Sequence, residues 1–222
     1  SSSTFTISSL DKKPAKRSPA APFTTSTLQQ EASRKLGFSV TRTMTVAQKL
    51  YESGAITYMR TDSVNLSNEA LGATKSEISK IYGAEYHQTR KYTSKAKGTQ
   101  EAHEAIRPTH MGNHNGSADF DQSRLYQLIW KRTMASQMAD AQLEKTTANI
   151  EISKSHFNFV AKGEVIKFEG FMKAYLEDTD DEDIEEKNAL PALSLNEVLN
   201  ANQITATQRY SKPPARFTEA SL

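Results

Sequence analysis

The feature that most constrains this fold is a change of period along the chain. Between residues 23 and 143 apolar side chains recur at helical spacing, whereas residues 3–10 and the stretch after 143 alternate apolar with polar. A helix buries one stripe every 3.6 residues and a strand one face every two. A chain that switches period twice must therefore carry both kinds of layer. The spacing predicts helices over 24–36, 43–52, 67–82 and 121–138, and a short one within 98–109 that Pro108 ends. Thr27 and Gln30 have capping-box spacing, and Gly37 supplies a stop. In the third helix Leu71, Ile78 and Ile81 face inward; in the fourth Leu125, Leu128, Ile129 and Met134 do. Strands are expected over 3–10, 56–59, 147–152, 156–162 and 165–168, with a further pair at 192–199 and 203–210. The Lys/Pro/Ala/Ser stretch 11–22 reads as a connector without regular structure. The expectation is an α+β chain with a mainly helical domain, 23–143, inserted into a β-rich domain made of 1–22 and 144–222.

Composition removes several classes of chemistry. There is no cysteine among the 222 residues, which excludes disulfides, cysteine-ligated zinc, iron–sulfur clusters and thiol nucleophiles. No apolar run approaches the length of a membrane span, and no charged-then-apolar opening of a secretory signal is present. A cytoplasmic setting, with no membrane partner, is expected. The chain opens at Ser1 without methionine and stops within a pattern at Ser221-Leu222, as a piece of a longer chain would. The net charge of +2 averages an uneven chain. Eight acids fall between Glu177 and Glu186; outside them the chain carries 28 Lys and Arg against 18 Asp and Glu. The acidic run reads as a solvated loop. The basic remainder fits either ordinary surface scatter or a polyanion-binding surface.

Gly54-Ala-Ile-Thr-Tyr-Met-Arg-Thr-Asp-Ser63 is the most informative stretch. An extended chain carrying Tyr58 places Arg60 two residues on, and so on the same face. A tyrosine hydroxyl is a poor nucleophile near neutrality, since a phenol ionises at about pH 10. A guanidinium beside it favours developing phenolate charge and can clamp a phosphate with paired donors. Thr57, Thr61, Asp62 and Ser63 add hydroxyl and carboxylate groups. The stretch is thus a candidate phosphoryl-transfer nucleophile, or else a structural tyrosine beside a surface arginine. Gln100-Glu-Ala-His-Glu-Ala-Ile-Arg-Pro-Thr109 is second. On a helix His103 and Arg107 would share a face and could both address a phosphate. The run lacks the second histidine of a zinc-binding H-E-x-x-H, so no metal site is expected there. The first two helices have helix-turn-helix spacing, which adjacent core helices also give; Arg34, Lys35, Arg42 and Lys49 make the pair basic. No Walker-type glycine loop is present.

Four runs together resemble bacterial DNA topoisomerase I, a type IA enzyme: Pro22-Phe-Thr-Thr-Ser-Thr-Leu-Gln-Gln-Glu-Ala-Ser33, Ile56-Thr-Tyr-Met-Arg-Thr-Asp-Ser63, Glu101-Ala-His-Glu-Ala-Ile-Arg-Pro-Thr109 and Lys212-Pro-Pro-Ala-Arg-Phe-Thr-Glu-Ala-Ser-Leu222. They stand in the family's order and span nearly the whole chain. The resemblance implies a winged-helix (CAP-like) catalytic-tyrosine domain inserted in a β-rich hinge or arch domain. It implies that Tyr58 is the nucleophile, giving a transient 5′-phosphotyrosine, and that Arg60 contacts the phosphate. His103 would lie beside the DNA, with Arg107, Thr57 and Asp62 as further DNA contacts. It implies relaxation of negative supercoils through strand passage and religation, without ATP. Single-stranded and negatively supercoiled DNA would be the partners. Mg²⁺ would be held by a toprim domain of the same parent chain, whose acidic pattern nothing here resembles; no metal is expected on these residues, and the chain alone is expected to be inactive. The alternatives are a non-catalytic winged-helix DNA-binding module, with Tyr58 merely structural, and a scaffold domain with no nucleic-acid role.

Overall fold

The structure is a computed structural model that describes residues 3–93, 103–175, 190–191, 193–211, 213 and 216–220. Helix and sheet segregate, and the fold is α+β. One unit holds four strands: β1 (Phe5–Arg17), β2 (Ala141–Ile152), β3 (Phe159–Phe168) and β4 (Val198–Leu199). The other holds α1 (Thr25–Leu36), α2 (Val40–Glu52), α3 (Asn68–Ile81) and α4 (Phe120–Ser136), with single 3₁₀ turns at Ala84–Tyr86 and Gly170–Lys173. Among the described residues the chain passes between units at Arg17/Ser18, Asp140/Ala141 and Phe168/Glu169.

The sheet has the order β3-β2-β1-β4, and its three pairings are all antiparallel. β1 and β2 pair along their whole lengths, from Phe5 opposite Ile152 to Arg17 opposite Ala141, with one irregularity between Ile7 and Ser9. The expected connector over 11–22 is therefore strand as far as Arg17. Hydrogen bonding to β2 overrides the weak local preference of a Lys/Pro/Ala stretch. Pro14, opposite Glu144, is tolerated because β4 covers only Phe5 and Thr6, leaving the rest of that side of β1 as an edge. The two expected strands 156–162 and 165–168 form one continuous β3. Of the pair expected at 192–199 and 203–210, only Val198–Leu199 is a strand; 203–210 has no regular structure.

In the helical unit each helix starts on a side-chain cap. Thr24, Ser39, Ser67 and Asp119 accept from the amides of Thr27, Arg42, Ala70 and Gln122. Such caps contribute about 1 kcal/mol each. The capping box at α1 is Thr24 with Thr27, three residues earlier than the Thr27–Gln30 spacing suggested. Gly37 closes α1 in the left-handed region at φ 67° and donates to the carbonyls of Ala32 and Ser33. The core comprises Leu28, Ala32, Phe38, Ala47, Leu50, Ile78, Leu125, Ile129 and Met134. Ile81, expected inward, is exposed; α3 instead buries Ala70, Thr74, Glu77 and Ile78, and Leu71 is half-buried. Position 78 already fills the inward stripe, and the helix ends before another turn can return to it.

Polar groups inside this unit are paired. Arg132 is buried, donates from Nε to the Ala21 carbonyl at 2.6 Å, and stacks over Phe23 at 4.9 Å. The Tyr175 hydroxyl donates to Glu31 at 2.5 Å, and burial together with that carboxylate pushes its ionisation upward. Burial likewise pushes the Tyr126 phenol up to about 12; its hydroxyl donates to the Asn113 carbonyl at 2.6 Å. No described helix is long and apolar enough to cross a membrane.

Candidate active site

The candidate site is built from three short stretches: the start of α1, the segment 55–63 that follows α2, and the segment 103–109. Gly54, at φ 73°, turns the chain out of α2. From there the backbone bends through residues 55–60 with a single bridge at Ile56. Thr57 donates to the Arg107 carbonyl at 2.9 Å, Thr109 to that of Ala55 at 3.0 Å, and Ile106 to that of Phe23 at 2.8 Å. The expected strand over 56–59 reduces to a single antiparallel bridge between Ile56 and Pro108. The expected helix within 98–109 is absent over 103–109, which is extended; its earlier part lies outside the described residues. Ala105 and Ile106 are fully buried, and their amides are taken by Asn65 and Phe23. Those tertiary bonds replace the local ones a helix would need, and Pro108 could not have donated one.

Side chains nevertheless alternate along 58–63. Tyr58, Arg60 and Asp62 are exposed, while Met59, Thr61 and Ser63 are buried. Tyr58 and Arg60 are thus both exposed, and no formal strand carries them. Two anchors hold the segment. The Thr25 hydroxyl donates to the Met59 carbonyl at 2.9 Å and accepts from the Thr61 amide at 2.9 Å, while the Thr25 amide donates to the Thr61 carbonyl at 2.9 Å. On the other side the Thr57 hydroxyl donates to the Ala105 carbonyl at 2.7 Å and accepts from the Arg107 amide at 3.0 Å. Tyr58 itself is 45 % exposed, with the Tyr51 ring edge-on at 5.2 Å.

An open cleft of about 550 Å³ is lined by Thr24, Thr25, Ser26, Arg60, Thr61, Asp62 and His103. It joins one guanidinium, one imidazole, four hydroxyls and a single carboxylate. The cleft also receives the positive end of α1, whose first turn carries no acid. A helix start of that kind favours an anion. Arg60 borders a second cleft of about 500 Å³ against α2, with Thr41, Met44, Thr45, Gln48, Lys49 and Glu52. The first cleft thus combines cationic and hydroxyl groups with a helix start, an arrangement that favours an anion.

The structure brings Arg60, Asp62 and His103 together in the first cleft and leaves Tyr58 beside it, outside its lining. Arg107 and Thr57 are differently employed. Arg107 does not share a helix face with His103. Its guanidinium donates to Glu104 at 2.7 and 3.3 Å and to the Pro108 carbonyl at 2.9 Å. Glu104 also accepts from the Ser67 amide at 2.7 Å, at the cap of α3. Burial alone would raise the Glu104 carboxyl, but the bonds from Arg107 and Ser67 and the guanidinium charge outweigh it and hold the group below the usual carboxylate range. Arg107 and Thr57 are thus tied into the frame behind the exposed face. Reasoning from the sequence missed Thr24, Thr25 and Ser26 as cleft residues. The signal was present as a run of hydroxyl residues at a helix start.

The family model described as "DNA topoisomerase" matches residues 1–222. The chain belongs to the bacterial type IA DNA topoisomerase I family. It is 49 % identical over 231 aligned positions to DNA topoisomerase 1 of Streptomyces coelicolor, covering 98 % of this chain and 24 % of that protein. With DNA topoisomerase 1 of a Synechocystis species the identity is 47 %, covering 98 % and 25 %. Full-length topoisomerase I from Thermotoga maritima superposes with a TM-score of 0.72 at 34 % identity, over 89 % of this chain and 33 % of that one. The chain thus spans about a quarter of the length of the curated topoisomerases it matches. Those relatives are isomerases by name.

Among the described residues no group of three or more His, Asp or Glu could hold a metal ion. The cleft offers one carboxylate, Asp62, and one imidazole, His103. These residues do not fit a Mg²⁺ site, so the chemistry below is derived without one.

Proposed function

We propose that this chain supplies the nucleophilic part of a type IA topoisomerase site. The Tyr58 oxygen attacks a phosphodiester of one DNA strand. The bond to the 3′ oxygen breaks, the 5′ phosphate stays on the tyrosine, and the proton leaves the phenol as the 3′ oxygen gains one. The 3′ hydroxyl later attacks the phosphotyrosine and restores strand and phenol. One phosphodiester is exchanged for another of similar energy, so religation needs no ATP. Catalysis is then mostly positioning and charge stabilisation. Arg60 would bind the phosphate beside Tyr58, with His103 and the start of α1 receiving the adjoining backbone and Asp62 at the rim.

The observation that supports this reading is an exposed Tyr58 two residues from Arg60, which lines a cleft with His103 and a single carboxylate, Asp62. In this reading the helical unit acts as a winged-helix-type DNA module and the sheet unit as a hinge. Single-stranded and negatively supercoiled DNA are the substrates, and a bacterial enzyme of this kind would work in the cytoplasm, at the nucleoid. Any Mg²⁺ would be bound by a toprim domain elsewhere in the longer protein. The alternative, a DNA-binding module without chemistry, keeps the cleft but makes Tyr58 idle.

The test uses full-length protein and a labelled single-stranded oligonucleotide. Wild type should give a covalent adduct that survives denaturation. Tyr58→Phe should give none, with affinity within a few-fold, because the ring and its contact with Tyr51 remain. An adduct in Tyr58→Phe would refute the assignment. Wild-type binding without any adduct would favour the non-catalytic module.

A further inference from the structure

Arg60 is exposed, and among the described residues no ion pair orients its side chain. Its place is set by the backbone that carries it. The residues on either side, Met59 and Thr61, are buried. Buried backbone groups must find partners. The carbonyl before Arg60 and the amide after it find the same one, Thr25 on α1.

Thr25 is the first residue of α1, directly after the Thr24 cap. An amide in that turn has no partner inside the helix; the Thr25 amide donates to the Thr61 carbonyl at 2.9 Å. A threonine hydroxyl can donate once and accept twice. That of Thr25 accepts from the Thr61 amide at 2.9 Å and directs its proton to the Met59 carbonyl at 2.9 Å, with the Thr61 carbonyl at 3.1 Å. Thr61 carries the brace onward, since its own hydroxyl accepts from the Ser63 amide at 3.1 Å. Tyr58 is tied separately, through Thr57, whose hydroxyl and amide donate to the carbonyls of Ala105 and Arg107. The phenol and the guanidinium are thus held by different partners.

We infer that Thr25 is a positioning residue for Arg60: its hydroxyl fixes the two peptide groups that flank Arg60 and so places the guanidinium against the phosphate that Tyr58 attacks. Thr25 acts through Arg60 and touches no reacting atom. Its proton is committed to backbone carbonyls, so loss of the hydroxyl removes no donor from the DNA. The inference rests on the proposed reading that Arg60 meets that phosphate. A valine has the shape of threonine without the hydroxyl, and it keeps the amide bond to Thr61 while releasing the Met59 carbonyl and the Thr61 amide.

The experiment is single-turnover cleavage of a labelled single-stranded oligonucleotide by the full-length protein in excess, with affinity read by fluorescence anisotropy. Thr25→Val should slow cleavage by about ten-fold, since misplacing a catalytic group by about 1 Å can cost about 10²-fold. Affinity should stay within about two-fold, as for an interaction felt only at the transition state. Thr25→Ser keeps the hydroxyl and should bring the rate back to within about three-fold of wild type. A flexible ammonium depends less on placement than a planar guanidinium, so in an Arg60→Lys background Thr25→Val should cost no more than about three-fold. The rate constant reports folded molecules alone, and Thr25→Ala, a good helix former without the hydroxyl, repeats the test if valine is not accepted. A wild-type rate in Thr25→Val or Thr25→Ala, no recovery in Thr25→Ser, a fall in affinity that matches the fall in rate, or the full loss again in the Arg60→Lys background overturns the inference and leaves Arg60 in its role. Wild-type rates in Arg60→Lys alone refute the reading of Arg60, and this inference with it.

Discussion

Arg60 and Glu104 show how much depends on the partners of single residues. Arg60 projects from an exposed position between two clefts and forms no ion pair among the described residues. A planar guanidinium can grip two phosphate oxygens, whereas an ammonium acts as a point charge. In the full-length protein Arg60→Lys should therefore slow cleavage by roughly one to two decades, the equivalent of one charge-assisted hydrogen bond. Single-turnover cleavage rates measure this; wild-type rates would mean that Arg60 does not touch the reacting phosphate. Glu104 has its carboxyl held low in the folded chain. A depressed carboxyl contributes stability that is complete above its unfolded value and is lost as pH falls through the folded one. Wild type should therefore lose stability relative to Glu104→Gln as pH drops below the ordinary glutamate value of about 4.3, and the difference should vanish once the carboxyl is neutral in both folded and unfolded chains. Urea unfolding at pH 3 to 7 reads the difference; a gap that does not change with pH would remove the charge from the account.

At the scale of elements, turns and caps set where each helix may start. The loop before α4 is the tightest example. Gly116 has φ 61°, and a Cβ there would lie 2.1 Å from the Tyr126 ring. Both the backbone conformation and the close approach exclude a side chain. Gly116→Ala should cost about 2–4 kcal/mol of stability through strain and overpacking. Thermal melting of the purified chain checks this; a loss below about 0.5 kcal/mol would show that the loop moves aside. The tie between 55–63 and 103–109 works in the same way for function. Neither segment is a helix or a long strand; each is held by the other, with 55–63 also bonded to Thr25 of α1 and 103–109 to Phe23 and Asn65.

For the whole molecule, the sheet places two strands from distant parts of the chain side by side, and the helical unit fills the intervening sequence. The proposed division of labour puts the nucleophile here and the metal elsewhere in a protein about four times as long. The chain alone should then bind single-stranded DNA weakly, with steep salt dependence, and fail to relax supercoiled plasmid with or without Mg²⁺. Loss of even one group that stabilises a leaving oxygen typically costs about 10²–10³ in rate. A plasmid gel checks this; relaxation by the bare chain would show that the chemistry needs no partner domain.

What the sequence determined by itself is local. Helical period with stop and start residues located α1 to α4 to within a few residues, and residues 58, 60 and 62 are exposed while 59, 61 and 63 are buried, as the expected alternation requires. What only the tertiary structure decided is non-local. Residues 11–17 are strand because β2, far along the chain, offers them partners. Residues 103–109 are extended because Phe23, Ala55 and Asn65 take their amides. Arg107 turns inward because Glu104, itself held by the cap of α3, stands within reach. The start of α1 joins the Tyr58 segment through the Thr25 hydroxyl. Backbone and side-chain polar groups must be paired wherever they are buried, and the identity of the partner is a property of three-dimensional proximity, which periodicity along a chain does not encode.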